Sequence, residues 1–229
     1  MLQLFFVSNL EHPELTGDDA HHASRVLRMN IGEELLVSNG TGGWARCAIT
    51  SITKAQVSLN ILEKGSERNH PSTISVVQAI PKSDRAKEAV ELLTASGVCE
   101  IIPWRAERSI GKDSEKWEVA AVEASKQSRR FDIPKVHSQL ETAAVLDLFS
   151  NYEQVLICHE SATNQISEVV KAATSTLIII GPEGGISDSE LAKFTSAGGK
   201  TIKLGRPVLR SAHAGLAAVS AVSALMKVW

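Results

Sequence analysis

The chain has 229 residues, of which 43% are hydrophobic and 22% are charged, and this balance is typical of a folded globular protein rather than a disordered one. Its length accommodates either one large domain or two small ones. With 24 basic and 26 acidic residues the net charge is −2, which excludes attraction to nucleic acid or to an anionic membrane through bulk charge. A nucleic-acid partner must therefore be held by a local patch.

Apolar and polar positions alternate over the first part of the chain, as they do in half-buried strands. The predicted strands are residues 4–8, 33–39, 44–53 and 55–63, and one predicted helix, residues 18–27, interrupts them. The polar segment 64–72 then contains one glycine and one proline, as a linker does. We place a domain boundary near residue 70.

Beyond this boundary, short runs rich in valine and isoleucine alternate with helical segments. The predicted strands are residues 75–80, 99–103, 154–159, 177–180 and 201–204. The predicted helices are residues 84–96, 114–130, 142–149, 165–173, 187–197 and a last one from Ser211 onward. Gly97 and Gly198 stand where helices are expected to end. This alternation predicts an α/β fold with a parallel sheet.

The N-terminus and the cysteines predict a protein of the reducing cytoplasm. No basic segment precedes the first apolar residues, so we expect no secretory signal peptide. The uncharged stretch 211–226 is too short and too rich in small residues for a membrane span. Cys47, Cys99 and Cys158 are an odd number with no Cys-x-x-Cys pair, which argues against a disulfide framework and a zinc site.

A glycine-rich turn follows the predicted strand 177–180, and a capping-box pattern then starts a helix at Ser187. Parallel sheets bind ligands at the carboxyl ends of their strands, and Gly181, Gly184 and Gly185 would let a ligand approach the backbone. No Gly-Lys-Ser/Thr follows, so the turn is not a P-loop for nucleoside triphosphates. A tight turn without a ligand is the alternative.

A second strand-to-helix turn repeats this arrangement. Gly205 ends a strand, Pro207 sets an extended segment, and Ser211 is a good N-cap. If both turns lie at the same edge of the sheet, their backbones can face one ligand. Arg210, directly before the helix, is placed to hold a phosphate or to stabilise an anionic transition state, with a surface salt bridge as the alternative.

The segment 40–45 matches the Gly-x-Gly-x-x-Ala fingerprint of dinucleotide-binding folds. Residues 46–53 after it alternate like a strand and not like the helix that this fingerprint requires. We therefore interpret the segment as a hairpin turn. Without a dinucleotide-binding fingerprint, the sequence offers little support for a nicotinamide-dependent enzyme or for a standard Rossmann methyltransferase.

Basic residues occur in groups, several of them directly after predicted strands. The groups are Arg25 and Arg28; Lys82, Arg85 and Lys87; Arg105, Arg108 and Lys112; and Arg129 and Arg130. A solvated surface of mixed charge is the alternative for any one group. His21-His22 and Cys158-His159-Glu160 are isolated, and we expect no metal site.

Motifs at a specific order and spacing extend along nearly the whole chain. They are Arg25-Val26-Leu27-Arg28-Met29, residues 82–85 with Thr94 and Gly97-Val98, Pro103 with Glu107-Arg108-Ser109, Glu123-Ala124 with Gln127-Ser128 and Arg130, Ile180-Gly181-Pro182-Glu183-Gly184-Gly185, Leu204-Gly205 and Val208-Leu209-Arg210. Together they closely resemble the 16S ribosomal RNA uracil-N3 methyltransferases, the ribosomal RNA small subunit methyltransferase E family of the SPOUT class.

The resemblance implies an N-terminal PUA-like β-barrel over residues 1–70 that binds RNA. It implies a SPOUT methyltransferase domain over residues 71–229, in which a parallel sheet with helices ends in a trefoil knot. It also implies a homodimer with sites at the interface. The last helix suits such an interface, because its alanines and Gly215 give it one face of small residues. Such a face permits close packing within the subunit or against a second copy.

The cofactor implied by the resemblance is S-adenosyl-L-methionine, held by backbone groups of the knot. Carried over by position, the cofactor-binding residues are His159, Glu160, Gly181, Pro182, Glu183, Gly184, Gly185, Leu204, Gly205, Val208, Leu209 and Ser211. The residues expected to bind RNA are Arg25, Arg28, Lys82, Arg85, Arg108, Gln127 and Arg130. The implied partner is 16S ribosomal RNA in the small ribosomal subunit.

The implied chemistry makes one demand on the site. Uracil N3 carries a proton and is a poor nucleophile until that proton leaves, so the site must favour the uracil anion and align N3 with the methyl group. We assign Arg210 the catalytic role of stabilising the negative charge. No base is identified from the sequence.

The chain departs from the family pattern at the second turn. Many members read Gly-Pro-Arg there and Arg-Thr-Glu-Thr after the leucine, where this chain has Gly205-Arg206-Pro207 and Arg210-Ser211-Ala212-His213. The acid that would align with Ala212 is missing, with His213 as a partial substitute. Three readings stay open: an active N3 methyltransferase, a ribosome-associated RNA-binding protein that has lost turnover, and a SPOUT methyltransferase with another RNA target.

Overall fold

The computed structural model describes residues 2–67, 72–111 and 113–228. The chain forms two compact units, Met1–Asn69 with Ser125–Ile133, and His70–Ala124 with Pro134–Trp229. The predicted boundary near residue 70 lies outside the described residues, as does Lys112 of the third basic group. The division into residues 1–70 and 71–229 and the trefoil knot stay predictions.

A barrel-like sheet of five strands forms the first unit. The strands are β1 (Leu4–Phe6), β2 (Glu14–Thr16), β3 (Glu34–Ser38), β4 (Gly43–Ile52) and β5 (Gln56–Ser66). Their order is β1-β3-β4-β5-β2, with β1 parallel to β3 and every other pair antiparallel. Along β4, Ala45, Cys47 and Ile49 are buried while the residues between them are not, because successive side chains of a strand point to opposite faces.

The hairpin turn predicted from residues 40–45 is confirmed. It joins β3 to the antiparallel β4, with Ser38 opposite Trp44. Gly40 and Gly42 have φ of 74° and 94°, which L-residues with a side chain rarely adopt. The predicted helix 18–27 is present as α1 (Gly17–His21) followed by one π-helical turn, His22–Val26.

The predicted linker 64–72 is wrong at its beginning, since β5 continues to Ser66. Gly65 lies opposite Trp44 in the sheet. A Cβ atom at Gly65 would come within 2.7 Å of the Trp44 ring, so the glycine makes room for the indole inside a strand rather than marking a linker. The ring of Phe131, which also belongs to the first unit, stacks on Trp44 with centroids 5.4 Å apart.

The second unit contains the predicted parallel sheet. Its strands are β6 (Thr73–Ala79), β7 (Glu100–Arg105), β8 (Lys135–Val136), β9 (Leu140–Glu141), β10 (Gln154–Cys158), β11 (Ser175–Ile180) and β12 (Lys200–Ile202). The helices along this part of the chain are α2 (Ser83–Ala95), α3 (Trp117–Ser128), α4 (Thr142–Asp147), α5 (Ile166–Val169), α6 (Asp188–Ser196) and α7 (Ser211–Met226). The order is β12-β10-β11-β6-β7-β8, β9 also pairs with β7, and all pairs are parallel.

Most side chains of β6, β7 and β11 are buried, which explains why these strands are mostly apolar in sequence. On one side of the sheet, the Phe194 ring packs edge-on against Trp104 and stacks on Phe149. On the other side α7 packs against α2, where a Cβ atom at Gly215 would lie 2.7 Å from Leu93 Cδ2. Part of the small-residue face of α7 therefore packs within the chain.

The predicted helix 165–173 is wrong in length. Only Ile166–Val169 is helical, none of these residues is buried, and the chain is extended at Val170. β-Branched residues lower helix propensity, and no buried contact of this helix offsets that. Among the described residues, no helix is both long and apolar enough to cross a membrane.

Candidate functional site

Three neighbouring parallel strands end at the same level in the sheet of the second unit. Cys158, the last residue of β10, pairs with Ile180 at the end of β11 and with Ile202 at the end of β12. The segments that follow these strands therefore leave one edge of the sheet side by side. They line a cavity of about 700 Å³. This is the position at which α/β sheets bind ligands, and the volume suits a small organic molecule.

The structure brings the predicted cofactor-binding residues together. All of them line this cavity, as does Arg210: His159 and Glu160 after β10, residues 181–185 after β11, and Leu204, Gly205, Val208, Leu209 and Ser211 after β12. They come from three segments that are far apart in sequence. Their role in binding stays a prediction, while their convergence on one cavity is a property of the fold.

The turn after β11 presents backbone rather than side chains. Gly185 has φ of 73°, and its N–H donates to the Pro182 carbonyl at 2.9 Å, which closes the turn. A Cβ atom at Gly181 would lie 2.7 Å from Ile186 Cγ1, so only glycine fits there without a shift. The capping box at Ser187 is confirmed, because its hydroxyl accepts from the Glu190 N–H and the Glu190 carboxylate accepts from the Ser187 N–H.

Residues 203–210 form another wall of the cavity, and residues 205–210 of this segment are exposed. A Cβ atom at Gly205 would have no neighbour closer than Pro207 Cδ at 3.9 Å, so packing within the chain does not require a glycine there. Arg210 is extended directly before α7, and its side chain is exposed. The Arg210 guanidinium makes no hydrogen bond or ion pair to the residues that the structure describes. The guanidinium is therefore available to a ligand.

Ser211 does not act as the predicted N-cap. Arg210 occupies the N-cap position, and the Ser211 hydroxyl instead donates to the Gly181 carbonyl at 2.7 Å. The hydroxyl also accepts from Gln78 Nε2 on β6 at 3.0 Å. These bonds join the start of α7 to the glycine turn, so the prediction for Ser211 was wrong because a tertiary acceptor took the place of the local one.

Three of the residues predicted to bind RNA line the same cavity. They are Lys82, Arg85 and Arg108. Arg108 donates to the Gly184 carbonyl at 3.2 Å, and Arg85 forms an ion pair with Glu88 at 2.9 Å. Three basic residues thus line the cavity, although Arg85 and Arg108 already bind groups within the chain.

The other four residues predicted to bind RNA belong to the first unit. Arg25, Arg28 and Gln127 are exposed. Arg130 is mostly buried and forms an ion pair with Asp132. The Arg130 guanidinium therefore has a structural partner within the first unit, which the sequence alone did not indicate.

Glu88 is a residue of this region that the sequence analysis missed. Its carboxylate binds His213 Nε2 at 2.9 Å and the Arg85 guanidinium at 2.9 Å. The hydrogen bond from His213, and next that from Arg85, hold the pKa of Glu88 below its ordinary value. Ala212 is only 3% exposed. The carboxylate beside the first turn of α7 thus belongs to α2. The only sequence signal for it is the three-residue spacing of Arg85 and Glu88, which is typical of an ion pair along a helix.

Two kinds of chemistry find no support at this cavity. Burial raises the pKa of the Cys158 thiol to about 12, so it stays protonated and is a poor nucleophile. In the described parts of the chain, no three His, Cys, Asp or Glu residues are grouped so that they could hold a metal ion. The arrangement instead offers backbone groups for a polar ligand and a free guanidinium for a developing negative charge.

Comparison with known proteins adds relatives for both units. The family described as the RNA methyltransferase PUA domain matches residues 15–62, and the RNA methyltransferase domain family matches residues 68–223. A Mycobacterium bovis protein named ribosomal RNA small subunit methyltransferase E is 33% identical, over 99% of this chain and 93% of that protein. Its Bacillus subtilis namesake is 30% identical, over 91% of this chain and 88% of that protein.

A solved structure resembles the chain over nearly its full length. It is the ribosomal RNA small subunit methyltransferase E of Neisseria gonorrhoeae bound to S-adenosyl methionine. The TM-score is 0.91 at 25% identity, and the match covers 98% of each chain.

Proposed function

Because the chain belongs to the ribosomal RNA small subunit methyltransferase E family, we propose that it transfers the methyl group of S-adenosylmethionine to N3 of one uridine in 16S ribosomal RNA. The observation that carries this proposal is the cavity at the ends of β10, β11 and β12. Every residue that the sequence assigned to the cofactor lines it, beside an arginine without a partner among the described residues.

The residues present fit S-adenosylmethionine. The glycine turn and the segment with Leu204 and Gly205 offer backbone N–H and C=O groups on two sides of a cavity of about 700 Å³. The open space beside Gly205, which no side chain of this protein fills, is consistent with a ligand that lies against the backbone there. The related enzyme from Neisseria gonorrhoeae, with the same fold, is bound to this cofactor. When bound, the cofactor supplies a methyl group on a positively charged sulfur.

Arg210 acts on the uracil. Uracil N3 loses its proton to solvent water, and the negative charge that remains on the ring is shared by its carbonyl oxygens. A guanidinium at the cavity stabilises that charge, and the start of α7 fixes its backbone, since the Arg210 carbonyl accepts from the N–H groups of His213 and Ala214 at 2.9 Å. Lys82 and Arg108 add positive potential for the RNA backbone.

The assembled enzyme is a homodimer that acts in the cytoplasm on the small ribosomal subunit. Exposed apolar side chains at the cavity support a second copy there, since Val208 is 73% exposed and Ile110 is 59% exposed. The first unit holds the RNA through the exposed Arg25 and Arg28. A net charge of −2 fits recognition of a preassembled ribosomal target by shape, with few phosphate contacts.

Mass spectrometry of ribosomal RNA from a strain that lacks the gene tests this function. The expected result is the loss of one 3-methyluridine from 16S ribosomal RNA and its return when the gene is restored. Full 3-methyluridine in the deletion strain contradicts the proposal. Loss of a different modified nucleotide would instead favour a methyltransferase with another RNA target. Calorimetry that shows cofactor binding without methyl transfer would favour an RNA-binding protein that has lost turnover, the alternative suggested by Ala212.

A further inference from the structure

We propose that Gln78 is a positioning residue, which holds the glycine turn and the arginine-bearing start of α7 in register through Ser211. The inference rests on the proposed function of the cavity. Gln78 is fully buried on β6, in register with Ile180 at the end of β11, and it does not line the cavity. Its influence on the reaction therefore passes through the residues that it binds.

The surroundings of Gln78 fix the orientation of its amide. The Ala79 carbonyl lies 3.0 Å from one amide atom and can only accept, so that atom is Nε2. The second hydrogen of Nε2 goes to the Ser211 hydroxyl oxygen at 3.0 Å. Because Ser211 accepts there, its single hydrogen is directed to the Gly181 carbonyl at 2.7 Å. The hydrogen bonds thus run in one direction, from β6 through α7 to the turn.

The other amide atom of Gln78, Oε1, shows that this orientation costs folding free energy. Gln78 Oε1 is buried and has no donor among the described residues. The helix α7 packs beside it at Gly215, where an added Cβ atom would lie 3.5 Å from Oε1. A buried acceptor without a donor destabilises the fold, and a leucine or methionine of similar volume would avoid this. The glutamine is explained by what Nε2 does for Ser211.

This connection acts on both walls of the site at once. Gly181 begins the turn that is proposed to face the cofactor, and Ser211 directly follows Arg210. If Gln78 is lost, the Ser211 hydroxyl is free to rotate away from Gly181, and the two walls are no longer tied. The distance between the cofactor and the guanidinium then varies, which lowers the rate more than it changes binding of the RNA.

The test compares Gln78→Leu, Ser211→Ala and the double variant with the parent protein. The readouts are the Kd for S-adenosylmethionine by calorimetry, and kcat and KM for small ribosomal subunits. We expect each single variant to lower kcat and raise the cofactor Kd by about five- to twentyfold with an unchanged KM for the subunit. The double variant should be no worse than either single one, since both break the same connection.

A control separates positioning from general damage to the sheet. Thr176→Val removes the buried hydrogen bond from Gln154 Nε2 at the amino end of β11, far from the turn. It should lower the melting temperature and leave kcat and the cofactor Kd unchanged. Gln78→Leu should melt no lower than the parent, because it also removes the orphaned Oε1.

Parent-like kcat and Kd in folded Gln78→Leu and Ser211→Ala would overturn the proposal, as would additive effects in the double variant. If Gln78→Leu does not fold, Gln78→Met, which keeps the length of the side chain and removes both amide atoms, takes its place in the comparison, because Ser211 itself lines the cavity. A parent protein that neither binds the cofactor nor transfers a methyl group would instead refute the proposed function.

Discussion

Replacing Arg210 with alanine separates a role in the chemical step from a role in the fold. The side chain is exposed and makes no hydrogen bond or ion pair within the described residues. Its backbone is extended, and its carbonyl bonds to His213 and Ala214 remain available in the variant. Surface substitutions of this kind change the free energy of unfolding by no more than about 0.5 kcal/mol.

The effect on the reaction should be much larger. Removing one group that stabilises a developing negative charge typically lowers kcat by about 100- to 1000-fold, or about 2.7–4 kcal/mol. The cofactor should still bind, because its proposed contacts are backbone groups of the turns. We therefore expect a fall in kcat of this size with a cofactor Kd within about threefold of the parent.

Single-turnover transfer of a labelled methyl group to purified small subunits measures this change, and calorimetry measures the Kd. The matched control is Lys200→Ala, which removes one exposed positive charge at the amino end of β12, the end away from the cavity. It should behave like the parent. Near-normal turnover of Arg210→Ala, or an equal loss in Lys200→Ala, would refute the assigned role.

Three further predictions concern the turn, a carboxylate and a thiol. Gly184→Val should weaken cofactor binding in calorimetry, since a Cβ atom there would lie 3.1 Å from Arg108 Cβ, and an unchanged Kd would place the ligand elsewhere. The hydrogen bond from His213 is the main cause that lowers the pKa of Glu88 in the folded protein. The ionised carboxylate therefore stabilises the fold at pH values above its unfolded-state pKa, and this stabilisation disappears as the pH falls through the folded-state pKa. In urea titrations Glu88→Gln should therefore lose less stability than the parent between about pH 6 and pH 3, and equal losses would contradict this. Cys158, with its pKa raised by burial to about 12, should react with iodoacetamide at about pH 8 much more slowly than a free thiol, as peptide mapping would show.

The strands of the parallel sheet could be predicted because burial on both faces requires a continuous apolar sequence. Residues 177–180 were predicted from such a run and lie within β11. β2, β8 and β9 were missed because each contains a single apolar residue, which forms neither an apolar run nor an alternating pattern. Gly65 misled the linker prediction because the reason for this glycine is the ring of Trp44 on the neighbouring strand.

The candidate site could be predicted where it consists of local turns and could not where it depends on distant partners. Glycines that follow apolar runs indicate the two turns in the sequence. Gln78 and Ser211 are 133 residues apart in sequence, and Glu88 and His213 are 125 residues apart. No local pattern encodes such pairs, because the sheet and the packing of α2 on α7 bring them together.

The most direct test of the central claim is labelled methyl transfer from S-adenosylmethionine to purified small ribosomal subunits, followed by mapping of the modified nucleotide. The account predicts about one methyl group per subunit, on N3 of a single uridine in 16S ribosomal RNA, and none with Arg210→Ala within the time of the parent reaction. A folded protein that binds the cofactor but leaves the RNA unlabelled, or that labels a different base, would contradict it.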